Sequence, residues 1–316
     1  MKPAALFLSS GDVLADARYE RAKAYAADGD RAAAADLLTQ ALERAPAFAS
    51  AWFALGEIRE DGDRAGAIAA FRAALSADPI DRHGVALKLA RLGAADPAAA
   101  MTPAYVRSLF DQYAPHFDEA LVAGLGYRGP ALLREALRAA AAARRRPFHF
   151  ARALDLGCGT GLVAEALRAH CDAIVGVDLS PAMAAAARRK GVYTDVVGGD
   201  MIDFIAAEAE SSCDLIIAGD ALVYLADLAP VCRAAARALS ADGLFAFTVE
   251  THAGAGVVLG EKLRYAHGAD HVRAALKAAG LTHLTFDCVA TRNENDIPVP
   301  GLLMIAGRNP SPKQSR

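Results

Sequence analysis

The chain has few cysteines, and their placement suits no structural use of sulfur. Five occur in 316 residues, at positions 158, 171, 213, 232 and 288. They are odd in number and dispersed, with no Cys-x-x-Cys pair and no Cys/His ligand spacing. That argues against a disulfide framework and against a zinc site, and no metal is expected. An excess of one charge is also lacking. Lys and Arg number 34 against 37 Asp and Glu, a net charge of −3, and the pI is near 6.2. This leaves no electrostatic footprint for nucleic acid. The one basic run, Arg144-Arg145-Arg146, follows an alanine-rich segment. It reads as a solvated helix C-terminus favoured by the helix dipole. No apolar run reaches the length of a membrane span, and the run at 4–8 is too short for a signal peptide. These absences point to a reducing, cytoplasmic setting, with neither membrane nor nucleic acid as partner.

What the chain does have is alanine. Hydrophobic residues make up 54% of it, so helices should dominate, and the length suffices for two domains. The first hundred residues repeat. Gly29-Asp30 and Gly62-Asp63 have the same spacing as Pro46 and Pro79, and Ala34/Ala67, Leu38/Phe71, Ala41/Ala74 and Leu42/Leu75 correspond. With Trp52-x-x-Leu55-Gly56, this pattern resembles the tetratricopeptide repeat, a helix–turn–helix of about 34 residues. A further helix is expected at 83–93. Two repeats are few for independent stability. The module is therefore expected to lean on the rest of the chain, on a protein partner or on a second copy of itself. A proline-broken linker at 94–98 gives the expected division: helical repeats at 1–98, a second domain at 99–308 and a disordered tail at 309–316.

The most informative stretch is Ala153-Leu-Asp-Leu-Gly-Cys-Gly-Thr-Gly161, followed by Ile174-Val-Gly-Val-Asp178. Apolar runs at 153–156 and 173–177 read as buried parallel strands. The first ends in a glycine-rich turn opening a helix at 162–170, and the second ends in a carboxylate. Such a pair builds a site for an adenosine-containing ligand. Glycines let backbone pass close beneath the ligand, and Asp178 can accept from both ribose hydroxyls. The nicotinamide fingerprint needs a third glycine where Leu162 stands, and a P-loop needs Gly-Lys-Ser/Thr, which is missing. Asp155 would repel a pyrophosphate but suits an ammonium. S-adenosylmethionine carries an amino acid, a sulfonium and a ribose without phosphate, and it fits best. Cys158 reads as a small spacer in the loop.

The motif Leu154-Asp-Leu-Gly-Cys-Gly-Thr-Gly161, with Val177-Asp-Leu-Ser-Pro-x-Met183, resembles the class I S-adenosylmethionine-dependent methyltransferases. The nearest organisation is that of bacterial methyltransferases carrying tetratricopeptide repeats. The resemblance implies an α/β fold: a Rossmann-like seven-stranded sheet preceded by the all-α repeat domain. Strands are expected at 153–156, 173–177, 193–197, 213–218, 244–249, 281–290 and 302–306. Asp155, Leu156, Gly157, Cys158, Gly159 and Gly161 would hold the methionine end. Asp178 and Leu179 would hold the ribose, with Met183 nearby, and Asp200 with Met201 the adenine. Asp200 can also cap the following helix. The resemblance also places Asp220 beside the cofactor and makes the aromatic stretch with Tyr113 and Phe117 a lid over it.

The methyl acceptor is a small molecule or a protein. The loop after the fourth strand has neither Asn-Pro-Pro-Tyr nor Asp-Pro-Pro-Tyr, so the usual motif for methylating nucleobase amines is absent. Candidate catalytic groups are Tyr224, His252 and His267; His267 with Arg264 and Tyr265 also suits an acidic substrate group. The segment 253–260 reads as a mobile glycine-rich loop. An alternative function is a non-catalytic S-adenosylmethionine-binding protein that recruits partners through the repeats.

Overall fold

The computed structural model describes residues 6–308; the tail at 309–316 and the start of the apolar run at 4–8 lie outside the described residues. The chain divides into two compact units, one running to Gln112 and one from Tyr113 onward.

The first unit is helical. α1 (Val13–Ala27), α2 (Arg31–Arg44), α3 (Ala49–Arg59) and α4 (Arg64–Ala77) are joined by short turns, and α5 (Val85–Arg91) and α6 (Pro103–Tyr113) follow. The recurring Gly-Asp does the same work twice. Asp30 accepts from the Ala33 amide at 2.9 Å and Asp63 from the Gly66 amide at 2.8 Å, which caps α2 and α4. Small residues let the helices approach: Ala15, Ala22, Ala34, Ala41 and Ala51 are buried. A Cβ on Gly56 would fall 2.5 Å from the Phe71 ring. The unit extends past position 98. The Thr102 hydroxyl donates to the Asp81 carbonyl at 3.2 Å, and the Tyr105 ring fills the space beside Gly84.

The second unit opens with turns at 114–116 and 119–124, the latter π-helical, and then α7 (Gly129–Ala143). Strands and helices then alternate: β1 (Phe150–Leu156), α8 (Leu162–Leu167), β2 (Cys171–Asp178), α9 (Pro181–Lys190), β3 (Asp195–Gly198), α10 (Met201–Ala207), β4 (Cys213–Ala218), α11 (Ala229–Ala238) and β5 (Leu239–His252). After these come β6 (Val257–Leu259), β7 (Tyr265–Gly268), α12 (Ala269–Ala278), β8 (Leu281–Val289), β9 (Asn293–Glu294), β10 (Ile297–Pro298) and β11 (Gly301–Arg308). The main sheet runs β3-β2-β1-β4-β5-β11-β8. Its first five strands are parallel, and β11 is antiparallel to both neighbours.

Alternation assigns the two faces. Leu154, Leu156, Ile216, Phe245, Phe247 and Met304 pack with Ile205, Val231 and Leu276 of α10, α11 and α12. Ala153, Leu215, Ile217, Ala246 and Ile305 pack with Leu133 and Leu137 of α7 and with Val163 and Leu167 of α8. A sheet covered on both faces explains why its strands read as unbroken apolar runs.

Three expectations need correction. The sheet has nine strands, not seven. β5 continues beyond its last pairing with β4, Ala218↔Phe247, so the edge of Glu250–His252 is open, and β7 pairs there in parallel. The supposed mobile loop at 253–260 contains β6, which pairs with β7 from Val257↔His267 to Leu259↔Tyr265. Its glycines serve that tight return: the Gly268 amide donates to the Gly256 carbonyl at 2.8 Å. The third strand begins at Asp195 rather than at 193.

Candidate functional site

The turn after β1 is built on three glycines with positive φ, Gly157 (+66°), Gly159 (+53°) and Gly161 (+97°). This is the backbone region that only glycine enters without strain. At two of them space is as restrictive as φ. A Cβ on Gly157 would lie 2.6 Å from the Ala221 methyl, and one on Gly161 would lie 2.9 Å from the Tyr193 ring. A carboxylate from the next strand braces the turn: Asp178 accepts from the Gly159 amide at 2.8 Å and from the Ser180 amide at 2.8 Å. Ser180 caps α9 by accepting from the Met183 amide at 3.1 Å. Leu179 is half-buried, and Leu156 and Met183 are fully buried.

Asp155 is buried beneath this turn and accepts from the Tyr193 hydroxyl at 2.7 Å. Burial pushes its carboxyl up to about 7; the tyrosine bond opposes this and the nearby Asp178 charge adds to it. Tyr193 was not picked out in the sequence. Its ring packs against Gly161 and Gly176, and burial raises its hydroxyl further above the ordinary tyrosine value. Cys158 is buried, and desolvation pushes its thiol far up, so it is inert as a nucleophile and fits its place as a spacer. Asp200 caps α10 through one oxygen, accepting from the Ile202 amide at 2.7 Å and the Asp203 amide at 3.2 Å. The end of the Met201 side chain lies near Gly157.

The segment read as a lid meets this turn. Phe117 is the nearest side chain to the open face of Gly159. Its neighbour Asp118 accepts from the Thr160 hydroxyl and pairs with Lys190 at 2.8 Å. Tyr113 is half-buried, farther along the same segment, within electrostatic reach of Arg264 and Glu294.

Beyond β4 the chemistry changes. Asp220, with φ +52°, places its carboxylate in an ion network. It accepts from the hydroxyls of Thr248 (2.6 Å) and Thr291 (2.7 Å) and from Arg292 Nη1 (2.8 Å). Arg292 also pairs with Glu250 and, at 3.4 Å, with Glu294; Arg264 pairs with Glu250 at 2.5 Å and with Glu294. Arg292 is only 6% exposed. Tyr224 lies among these charges; desolvation pushes its hydroxyl up to about 12, with the two arginines opposing. Tyr127 is coupled both to Asp220 and Arg292 and to Asp155. It therefore joins the network to the glycine turn.

The two histidine candidates stand differently. His252 accepts from the Gly254 amide through Nδ1 at 3.1 Å, and its Nε2 faces the Gly256 carbonyl at 3.4 Å. Both nitrogens are engaged in its own turn. His267 is fully buried, stacked on His271, and neither ring nitrogen has a hydrogen-bond partner. Desolvation lowers it to about 4, so it is neutral at physiological pH.

Sequence reasoning missed Thr248, Glu250, Thr291, Arg292 and Glu294. They come from two separate stretches, 248–250 and 291–294, and no local motif marks them. Among the described residues no group of His, Cys, Asp or Glu gathers to hold a metal ion. Among the same residues no helix is long and apolar enough to cross a membrane.

Comparison with known proteins agrees with this geometry. Residues 154–247 match the family described as "Methyltransferase domain". Over 85 residues the chain is 44% identical to human methyltransferase-like protein 27, covering 27% of this chain and 33% of that protein. Over 96 residues it is 31% identical to a ubiquinone biosynthesis O-methyltransferase of Xanthomonas oryzae pv. oryzae, covering 29% of this chain and 40% of that one. The chain thus spans well under half the length of these curated relatives. A solved S-adenosylmethionine-dependent methyltransferase from Leishmania major superposes with a TM-score of 0.50 at 16% identity, covering 62% of this chain and 80% of the other. That likeness concerns the fold.

Proposed function

We propose, from the premise that residues 154–247 form a class I S-adenosylmethionine-dependent methyltransferase domain with S-adenosylmethionine as its cofactor, that the protein transfers a methyl group. The acceptor is an O, N or C nucleophile of a small molecule or a protein. One observation carries the reading: three positive-φ glycines and a carboxylate that holds their loop meet at the carboxyl ends of β1 and β2. A Cβ at any of the three glycines would be strained by its positive φ, so the cradle suits a ligand that lies against bare backbone.

Bound there, the cofactor supplies a methyl group on a cationic sulfur, already a good leaving group. The chain then has to bind, align and exclude water. Asp155 and the turn 157–161 would take the methionine end, Asp178 and Leu179 the ribose, and Asp200 with Met201 the adenine. Met183 would support them from the core. Phe117 and Tyr113 would cover the sulfonium. A hydroxyl pushed up to about 12 keeps its proton at neutral pH, which makes Tyr224 a donor that orients the acceptor and not a base. His252 would shape the acceptor-side turn. His267 would act only if the chain around it opened.

The helical unit is read as tetratricopeptide-like. Two helix pairs with the same Asp cap and small residues at their contacts support this. It would recruit a protein partner, a protein acceptor or a second copy.

Calorimetric titration with S-adenosylmethionine tests the reading. The wild type should bind. Asp178→Ala removes the brace on Gly159 and the ribose acceptor together, and should weaken binding by about tenfold or more. A wild type that does not bind would overturn the proposal. Equal affinity in the variant would overturn the role of Asp178.

A further inference from the structure

The ion network beyond β4 contains three carboxylates, and they are not held alike. Asp220 is fastened by Thr248 and Thr291 as well as by Arg292. Glu250 lies inside β5, paired through its backbone with β7 on one side and β11 on the other. Glu294 comes from the hairpin β9–β10, which pairs only with itself, through Ile297↔Glu294 and Pro298↔Asn293. The tip of that hairpin, Asn295 and Asp296, has positive φ, and Ile297 is 69% exposed. A ribbon that small is marginally stable on its own. Two carboxylates are therefore built into the sheet edge, and the third is delivered by an element that can move at low cost.

Glu294 occupies a telling place. Its Oε1 faces both Arg264 Nη2 and Arg292 Nε. If the Glu294 side chain swings out, two guanidinium groups remain opposite two fixed carboxylates, and two adjacent N–H directions open together. Guanidinium donors in that arrangement match a planar carboxylate better than a spherical or neutral group. The opening lies beside the loop after β4, where Asp220 joins the network and its neighbour Ala221 packs on Gly157.

We propose that Arg264 and Arg292 bind a carboxylate group of the methyl acceptor, and that Glu294 is an internal stand-in which the acceptor displaces. The word acceptor rests on the methyltransferase reading; the carboxylate site itself does not. The exchange is balanced in charge, because one carboxylate leaves as another arrives. It also shields the site from unsuitable ligands, since an incoming group must outcompete an ion pair already made.

Benzoate and its uncharged counterpart benzamide serve as probes, followed by ligand-observed NMR on the full chain. Benzoate should bind the wild type weakly and bind Glu294→Ala about tenfold more tightly, because the internal competitor is gone. Benzamide should bind neither. Adding Arg264→Gln to Glu294→Ala should abolish the benzoate response. Equal benzoate affinity in the wild type and Glu294→Ala would overturn the proposal, as would benzamide binding as well as benzoate. If the arginine variant does not fold, the Glu294→Ala comparison decides alone, since that residue sits on a surface hairpin. S-adenosylmethionine titrated into the same samples separates the two readings. Cofactor binding without a benzoate response sinks the carboxylate site alone. A benzoate response without cofactor binding sinks the methyltransferase reading.

Discussion

Two halves of one sheet edge are built on opposite principles. At the carboxyl ends of β1 and β2 the working surface is backbone: glycines in a left-handed turn, with a single carboxylate holding an amide. Past the ends of β4, β5 and β8 it is long side chains, two arginines against three carboxylates. A backbone cradle tolerates almost no substitution yet needs few residues. An ion network can be rebuilt around new partners, but it collapses if one buried charge is removed. The first design suits a ligand that never changes, and the second suits one that differs from relative to relative.

The contrast can be broken most directly at Arg292. Replacing it with Met leaves Asp220 and Glu250 without their principal counter-ion, and should cost about 3–5 kcal/mol in urea unfolding. A loss below about 1 kcal/mol would mean that the network behaves as a surface one. On the cradle side, Gly161→Ala combines a φ of +97° with a Cβ 2.9 Å from the Tyr193 ring. It should cost about 2–3 kcal/mol. Gly199→Ala, where nothing lies within 4 Å, should stay within about 0.5 kcal/mol. Equal costs at the two glycines would remove the argument from shape.

A further test depends on pH. Asp155 titrates near 7 in the folded chain and at about 4 when unfolded. The folded protein therefore keeps a proton that the unfolded one releases. Stability from this group is fully present below pH 4 and is lost as pH rises to 7. The stability difference between wild type and Asp155→Asn should shrink by about 4 kcal/mol across that window, about three pK units at ~1.4 kcal/mol each. A flat difference would show that the carboxyl is better solvated than its burial implies.

The same contrast explains what could be read from the chain. The cradle was legible because its parts are consecutive: the glycines of 157–161 and the carboxylate closing the next strand. The seven main strands were legible because a sheet covered on both faces leaves plain apolar runs. β6 and β7 were not, since short strands at an open edge form for want of a neighbour to β5, a cause with no local signature. Nor was Tyr193 legible as anything beyond the start of a strand. Its importance lies in what sits above it. Thr291, Arg292 and Glu294 follow a strand end with no motif around them, and only the closed sheet brings them to Asp220.

Tyr193 has one consequence beyond the site itself. Its ring lies against both Gly161 and Gly176, and its hydroxyl reaches Asp155. These positions cannot drift independently in a lineage. Gly176 has no unusual φ, so crowding alone excludes a methyl group there, from the ring at 2.9 Å and from the Cys158 sulfur at 3.0 Å. A smaller residue at 193 would have to arise first before alanine at 176 became permissible, and reversion at 193 would then be closed off. The order of substitutions is thus written into one aromatic contact. Relatives of this chain that keep the tyrosine should keep the glycine.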